Sequence, residues 1–137
     1  KKINSSIKCG LKIIFCIGET LIQKKKKITN KILRKQILKG LSKTNTFNNI
    51  LIAYEPVWSI GTGVIPKTYE LDKNITFIKN ILKNNLKIKN PKVLYGGSVN
   101  PKNAKNLASI KNIDGFLVGG ASQIAKNFID IVKKTII

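Results

Sequence analysis

Four short apolar runs, at residues 11–17, 50–54, 93–95 and 116–118, each end in a turn rich in Gly, Ser or Pro. A helical pattern follows every one. After the first run, Ile28, Ile32, Leu33, Ile37, Leu38 and Leu41 recur at helical spacing, and after the second Leu71, Ile75, Ile78 and Leu82 do the same. Glu70 is placed to meet the positive end of that second helix. The third helix has Asn100 as cap and Pro101 in its first turn, ahead of Ala104, Leu107 and Ala108. The last is predicted from about Ser122, with Ile124, Phe128, Ile131 and Val132 on one face. Alternation of strand and helix with short connections predicts a parallel sheet packed under helices. Near-continuous apolar strands fit that arrangement, because both of their faces are covered.

Such a sheet either stays open, doubly wound, or forms part of a barrel. A dinucleotide fold would carry G-x-G-x-x-G after an early strand, with an acidic residue further on. Here Gly61-Thr62-Gly63 runs into Val64, Ile65 and Pro66 instead. Glycines at the ends of several strands suit a barrel whose site is assembled on one face. The 137 residues are one domain by length and can bury a core.

The segment Ala53-Tyr54-Glu55-Pro56-Val57-Trp58-Ser59-Ile60-Gly61-Thr62-Gly63 carries the strongest chemical signal. A carboxylate that ends an apolar strand and is followed at once by proline is poorly explained by packing. Held at the rim and drawn out of water, it becomes a stronger base. The loop behind it, with one Trp, one Ile and two Gly, reads as a lid with an apolar inner face; the bland alternative is a surface loop. In Tyr95-Gly96-Gly97-Ser98, two glycines let the backbone approach a ligand, and Ser98 adds an N–H and a hydroxyl. In Leu117-Val118-Gly119-Gly120-Ala121-Ser122, backbone amides are expected to open a helix and seat an anion. Either Gly-Gly alone is a weak signal. Together, at the ends of consecutive strands, they match the phosphate site after strands 7 and 8 of a (β/α)8 barrel.

Cys-Ile-Gly-Glu-Thr at 16–20, Tyr-Glu-Pro-Val-Trp-Ser-Ile-Gly-Thr-Gly at 54–63, Tyr-Gly-Gly-Ser-Val at 95–99 and Gly-Phe-Leu-Val-Gly-Gly-Ala-Ser at 115–122 occur in one order and spacing. In this the chain resembles the triosephosphate isomerase family. The likeness spans essentially the whole sequence but about the second half of the family's. It implies an α/β TIM barrel of which residues 1–137 are the C-terminal half, strands 5–8 with their helices. It further implies an isomerase of glycolysis and gluconeogenesis that interconverts dihydroxyacetone phosphate and glyceraldehyde 3-phosphate without a cofactor. Glu55 would be the general base, and Gly61, Ser98, Gly119 and Gly120 would bring amides to the substrate phosphate. Residues 56–66 would form the lid, with Pro56 and Trp58 in its first hinge and Ile60 pressing on the substrate. Tyr95 and Ser98 would hold the closed lid, Glu19 would contact Trp58, and Leu117 would pack against Glu55. The family usually has Lys, a variable residue and Ala after Gly63; Val64, Ile65 and Pro66 stand here, and Pro66 is expected to stiffen the hinge and alter lid kinetics.

The family also needs a lysine and an asparagine after its first strand and a histidine after its fourth. This sequence has no His, and its lysines follow none of the matched strands in the right way. The chain is therefore expected to hold the base and phosphate clamp but no electrophile, an omission that costs on the order of 10²–10³ in rate. A full barrel takes about 250 residues, and Lys1 is not preceded by Met. Both lead to the expectation of an N-terminal half that completes the barrel and carries the contact loop of a homodimer.

The net charge of +20 raises nucleic acid or an anionic membrane as partners. The 25 lysines are spread over every segment, however, and Arg34 is the one arginine. The dense run at 24–27 lacks interleaved aromatics, which argues for a solvated surface over a nucleic-acid site. Lys, Ile and Asn also share A/T-rich codons, so the skew can come from the genome. Cys9 and Cys16 form no CxxC pair, so no metal site is expected; Cys16 reads as a small buried thiol in a reducing, cytoplasmic setting. No apolar stretch nears the ~18 residues of a membrane span. Two other readings remain beside the isomerase: a self-associating half-barrel that binds phosphate without catalysis, and a basic nucleic-acid-binding module.

Overall fold

The computed structural model describes residues 2–44 and 46–136. Its helices are α1 (Lys2–Lys8), α2 (Leu21–Lys25), α3 (Thr29–Leu41), α4 (Thr68–Leu86), α5 (Ala104–Ala108) and α6 (Ala125–Thr135). Its strands are β1 (Ile13–Ile17), β2 (Ile50–Tyr54), β3 (Val93–Tyr95) and β4 (Gly115–Phe116), with 3₁₀ turns at Val57–Ser59 and Gly120–Gln123. The strands pair in parallel in the order β1-β2-β3-β4, so every connection is a helical crossover. This is the parallel α/β architecture that the alternating pattern predicts.

The two faces of the sheet differ. Ile17, Ile52, Tyr54, Val93 and Tyr95 turn toward the helices and join Leu33, Ile37, Leu41, Leu71, Ile75, Ile78 and Leu82 in one buried core. These helical residues are among those expected from the spacing in α3 and α4. The opposite face carries Ile14 beside Leu51 and Cys16 beside Ala53. Among the described residues nothing covers it fully: Ile14 is 44% exposed and Leu51 38%. Cys16 lies on this open face and is exposed, which corrects the expectation of a buried thiol. An unbroken apolar run does not say which of its residues meet the helices.

Three further boundaries differ from the sequence reading. β4 ends at Phe116, because its ladder with β3 has only the pairs Leu94–Gly115 and Tyr95–Phe116. The last helix begins at Ala125, after a separate 3₁₀ turn, and leaves Ile124 and Phe128 exposed. The third helix begins at Ala104 with Asn103 at its N-cap, so Asn100 is not the cap; its Oδ1 accepts from the N–H groups of Lys102 and Asn103 in a turn just ahead of α5. The short helix α2 is fixed by a capping box in which Thr20 and Gln23 exchange side-chain and backbone bonds. The lysine run at 24–27 straddles its end.

Asp114 anchors the start of β4. Its carboxylate accepts from the Val93 N–H at 2.8 Å and pairs with Lys79 at 2.7 Å and Lys92 at 3.2 Å. Burial pushes this carboxyl up, and the Lys79 bond, the Val93 amide and Lys92 more than reverse that, leaving it below its usual 3.8. Among the described residues no helix is long and apolar enough to cross a membrane.

Candidate active site

The hydrogen-bond ladder runs on past the ends of the strands. Glu55 N–H donates to the Ile17 carbonyl at 2.7 Å, Gly96 N–H to that of Tyr54 at 2.9 Å, and Leu117 N–H to that of Tyr95 at 2.9 Å. Glu55, Gly96 and Leu117 are thereby set side by side at the carboxyl rim. Glu55 is half-buried. Glycine is required on both sides of it: a Cβ on Gly18 would collide with the Glu55 carbonyl, and one on Gly96 would stand 2.7 Å from Glu55 Oε1. The first task of these glycines is thus to admit the glutamate.

Glu55, Ile60, Gly61, Ser98, Leu117, Gly119 and Gly120 all line one cavity of about 510 Å³. Three segments, at 55–61, 96–100 and 117–121, therefore converge on one carboxylate. Among the described residues two larger cavities lie elsewhere: one of about 690 Å³ among Ile50, Leu51 and Ile52 with no carboxylate, and one of about 760 Å³ lined by Glu19 and Glu70, whose carboxylates are taken by Trp58, Tyr54 and Lys24. In the loop after Ile60, Gly61 and Gly63 hold φ of +70° and +78°, a region that favours glycine. Ile60 lines the Glu55 cavity and is still 49% exposed. Gly119 and Gly120 are exposed and lead into the 3₁₀ turn, not into α6 as the sequence suggests. A four-residue turn offers free amides but little of a helix dipole.

Pro56, Trp58, Glu19 and Tyr95 stand behind the cavity and support it. Glu19 is 1% exposed, yet its carboxylate is satisfied. It accepts from Trp58 Nε1 at 2.9 Å and from the Tyr54 hydroxyl at 3.1 Å, and Asn74 Nδ2 donates to that hydroxyl at 2.9 Å. Lys24 of α2 lies 4.0 Å over the Trp58 ring and pairs with Glu70 at 3.0 Å. Trp58 is thus clamped on the edge of its indole by Glu19 and on its face by Lys24. Burial, and then the Glu19 charge, push the Tyr54 phenol far above its usual range, so it stays a donor. Although Cys16 is exposed, partial loss of water around its sulfur pushes the thiol up to about 11, and the bond and charge of Glu55 add to this.

A second polar centre has Ser59 at its middle, a residue the sequence reading passes over. Ser59 is fully buried, and its hydroxyl donates to the Val64 carbonyl at 2.6 Å. It lies 3.0 Å from the Tyr95 hydroxyl and accepts from the Ser98 N–H at 3.3 Å. Gly97 leaves room for this centre, since a Cβ there would come within 2.6 Å of Ser59 Oγ. Burial raises the Tyr95 phenol, and its bond to Ser59 opposes that. Thr62 ties the lid to itself, donating to the Trp58 carbonyl at 3.2 Å and accepting from the Val64 N–H at 3.2 Å.

The family model for triosephosphate isomerase matches residues 1–135 of this chain. The chain belongs to the triosephosphate isomerase family. A triosephosphate isomerase of Thermodesulfovibrio yellowstonii is 46% identical over 135 residues, which is 97% of this chain and 55% of that protein. One from Leptospira biflexa is 42% identical over 139 residues (96% and 56%), and one from Dictyostelium discoideum 41% over 140 residues (99% and 54%). The chain therefore spans about half the length of the curated triosephosphate isomerases it matches.

Proposed function

We propose that this chain forms the C-terminal half, strands 5–8, of a triosephosphate isomerase barrel and brings to it the base and the phosphate clamp. The observation that carries this reading is the single cavity in which Glu55 faces the amide-bearing turns at Ser98 and at Gly119–Gly120. A dianionic phosphate held by those amides, joined by Gly61 when the lid descends, would fix a three-carbon substrate beside the carboxylate. Glu55 then takes the proton from C1 of dihydroxyacetone phosphate, leaving an enediolate, and returns it to C2 to give glyceraldehyde 3-phosphate. Ile60 and Leu117 exclude water while the charge is dispersed.

The sequence holds no histidine. The groups that polarise the carbonyl and stabilise the enediolate would come from the preceding half of the barrel. That half would also cover Ile14 and Leu51 and close the β1 and β4 edges, which otherwise invite aggregation. On this reading the isolated chain is nearly inactive. The full-length product would be a cytoplasmic homodimer that needs no cofactor.

The test is Glu55→Gln in the full-length gene product. Interconversion should fall by about 10²–10⁴-fold, the usual contribution of a positioned general base, while inorganic phosphate still binds. Undiminished turnover would remove Glu55 from the chemistry and the reading with it.

A further inference from the structure

We propose that Ser59 acts as a positioning residue that links occupancy of the phosphate seat to release of the lid. This rests on the reading above, in which the Ser98 amide receives a phosphate. A serine hydroxyl has one proton and room to accept two. Its proton goes to the Val64 carbonyl at 2.6 Å, so the Tyr95 hydroxyl, 3.0 Å away, must donate to it, and the Ser98 N–H fills the remaining position at 3.3 Å. Every valence of the hydroxyl is used. One buried atom therefore joins both ends of the lid, at Ser59 and Val64, to the two elements beneath it, β3 and the Ser98 turn.

The three bonds differ in strength. The one to Val64 is short; the one from Ser98 is long for an N–H···O bond. Ser98 is also the residue through which an anion would enter this network, since it lines the cavity that Glu55 faces. An incoming phosphate is a charged acceptor and outcompetes a neutral hydroxyl for the same amide. When it takes that N–H, Ser59 loses one of three partners, and the tie between the 57–66 segment and its base weakens. Ligand arrival thus frees this segment just as its closure over the ligand becomes favourable. Gly97 belongs to this device, because a side chain there would occupy the space of the Ser59–Tyr95 contact.

The test compares the full-length gene product with its Ser59→Ala variant, using inorganic phosphate as probe. Phosphate affinity comes from calorimetry, and lid release from amide hydrogen exchange of residues 57–66 with and without phosphate. In the parent, phosphate should change lid exchange. In Ser59→Ala the amide has no internal competitor, so phosphate should bind about three- to tenfold tighter, the worth of one net hydrogen bond. Lid exchange in that variant should already be raised and should no longer respond to the bound-state loss of this tie. Unchanged affinity together with a parent-like lid response would overturn the coupling and leave the phosphate seat standing. No saturable phosphate binding in the parent would sink the seat itself. If alanine prevents folding, Ser59→Cys, close in volume but a weak donor and acceptor, carries the same expectation.

Discussion

Replacing Gly96 by alanine should disable the site while sparing the fold. Gly96 is buried, and its N–H is tied to the Tyr54 carbonyl at 2.9 Å, so its backbone cannot retreat without breaking the ladder. The added methyl would stand 2.6 Å from Glu55 Cγ, 2.7 Å from Oε1 and 3.0 Å from Cδ. Nonbonded carbons rest about 3.5–4.0 Å apart, so the carboxylate has to shift by about 1 Å. That shift is cheap for the end of a flexible side chain, about 1 kcal/mol for leaving its rotamer. Its effect on chemistry is larger. A displacement of about 1 Å costs about 10²-fold in rate, equivalent to about 2.7 kcal/mol of transition-state stabilisation. In a coupled spectrophotometric assay of the full-length gene product, kcat/KM of Gly96→Ala should fall by about that factor. Its melting temperature should stay within a few degrees of the parent. A variant with parental kcat/KM would refute the claim that this glycine exists to admit Glu55.

Glu19→Ala leaves Trp58 Nε1 and the Tyr54 hydroxyl without their acceptor in a buried place, and the loss should be about 2–4 kcal/mol in denaturant unfolding. Glu19→Gln, which keeps an acceptor oxygen, should lose less; equal losses would show that the hydrogen bonds are not what stabilises the hinge. Cys16, raised to about 11, is almost wholly protonated at neutral pH, so its alkylation should be slow there and quicken as pH climbs toward that value. Glu55→Gln removes the bond and charge of the carboxylate, so it should lower the thiol and speed its alkylation at neutral pH; no change would mean that the two groups are not neighbours in solution.

Where the sequence was informative, its information was local. The runs at 50–54 and 93–95 coincide with β2 and β3, because turn residues bound them tightly on their C-terminal side. The spacing of Leu33, Ile37, Leu71, Ile75, Ile78 and Leu82 picked out the buried faces of α3 and α4, both long enough for a helical period to repeat. The cavity-lining residues were legible for another reason: a glutamate before proline and paired glycines at strand ends have few packing explanations. The exposure of Cys16 is not legible because residues 13–17 are all apolar, and no alternation tells one face of β1 from the other. The helix α2, at five residues, is too short to show a period, although Thr20 and Gln23 were a readable capping signal. Ser59 was invisible because its partners Tyr95 and Ser98 are 36 and 39 residues away, and nothing in a serine after a tryptophan announces a buried crossroads.

The backbone bonds from Glu55, Gly96 and Leu117 to the neighbouring strands divide the labour of this site between a stationary part and a moving one. The glutamate is aimed by the sheet, so a loop that begins at its very next residue could move, or accumulate substitutions such as Val64-Ile65-Pro66, without tilting it. Changes in the flap should therefore alter how fast the site opens and shuts, and leave the direction of the carboxylate alone.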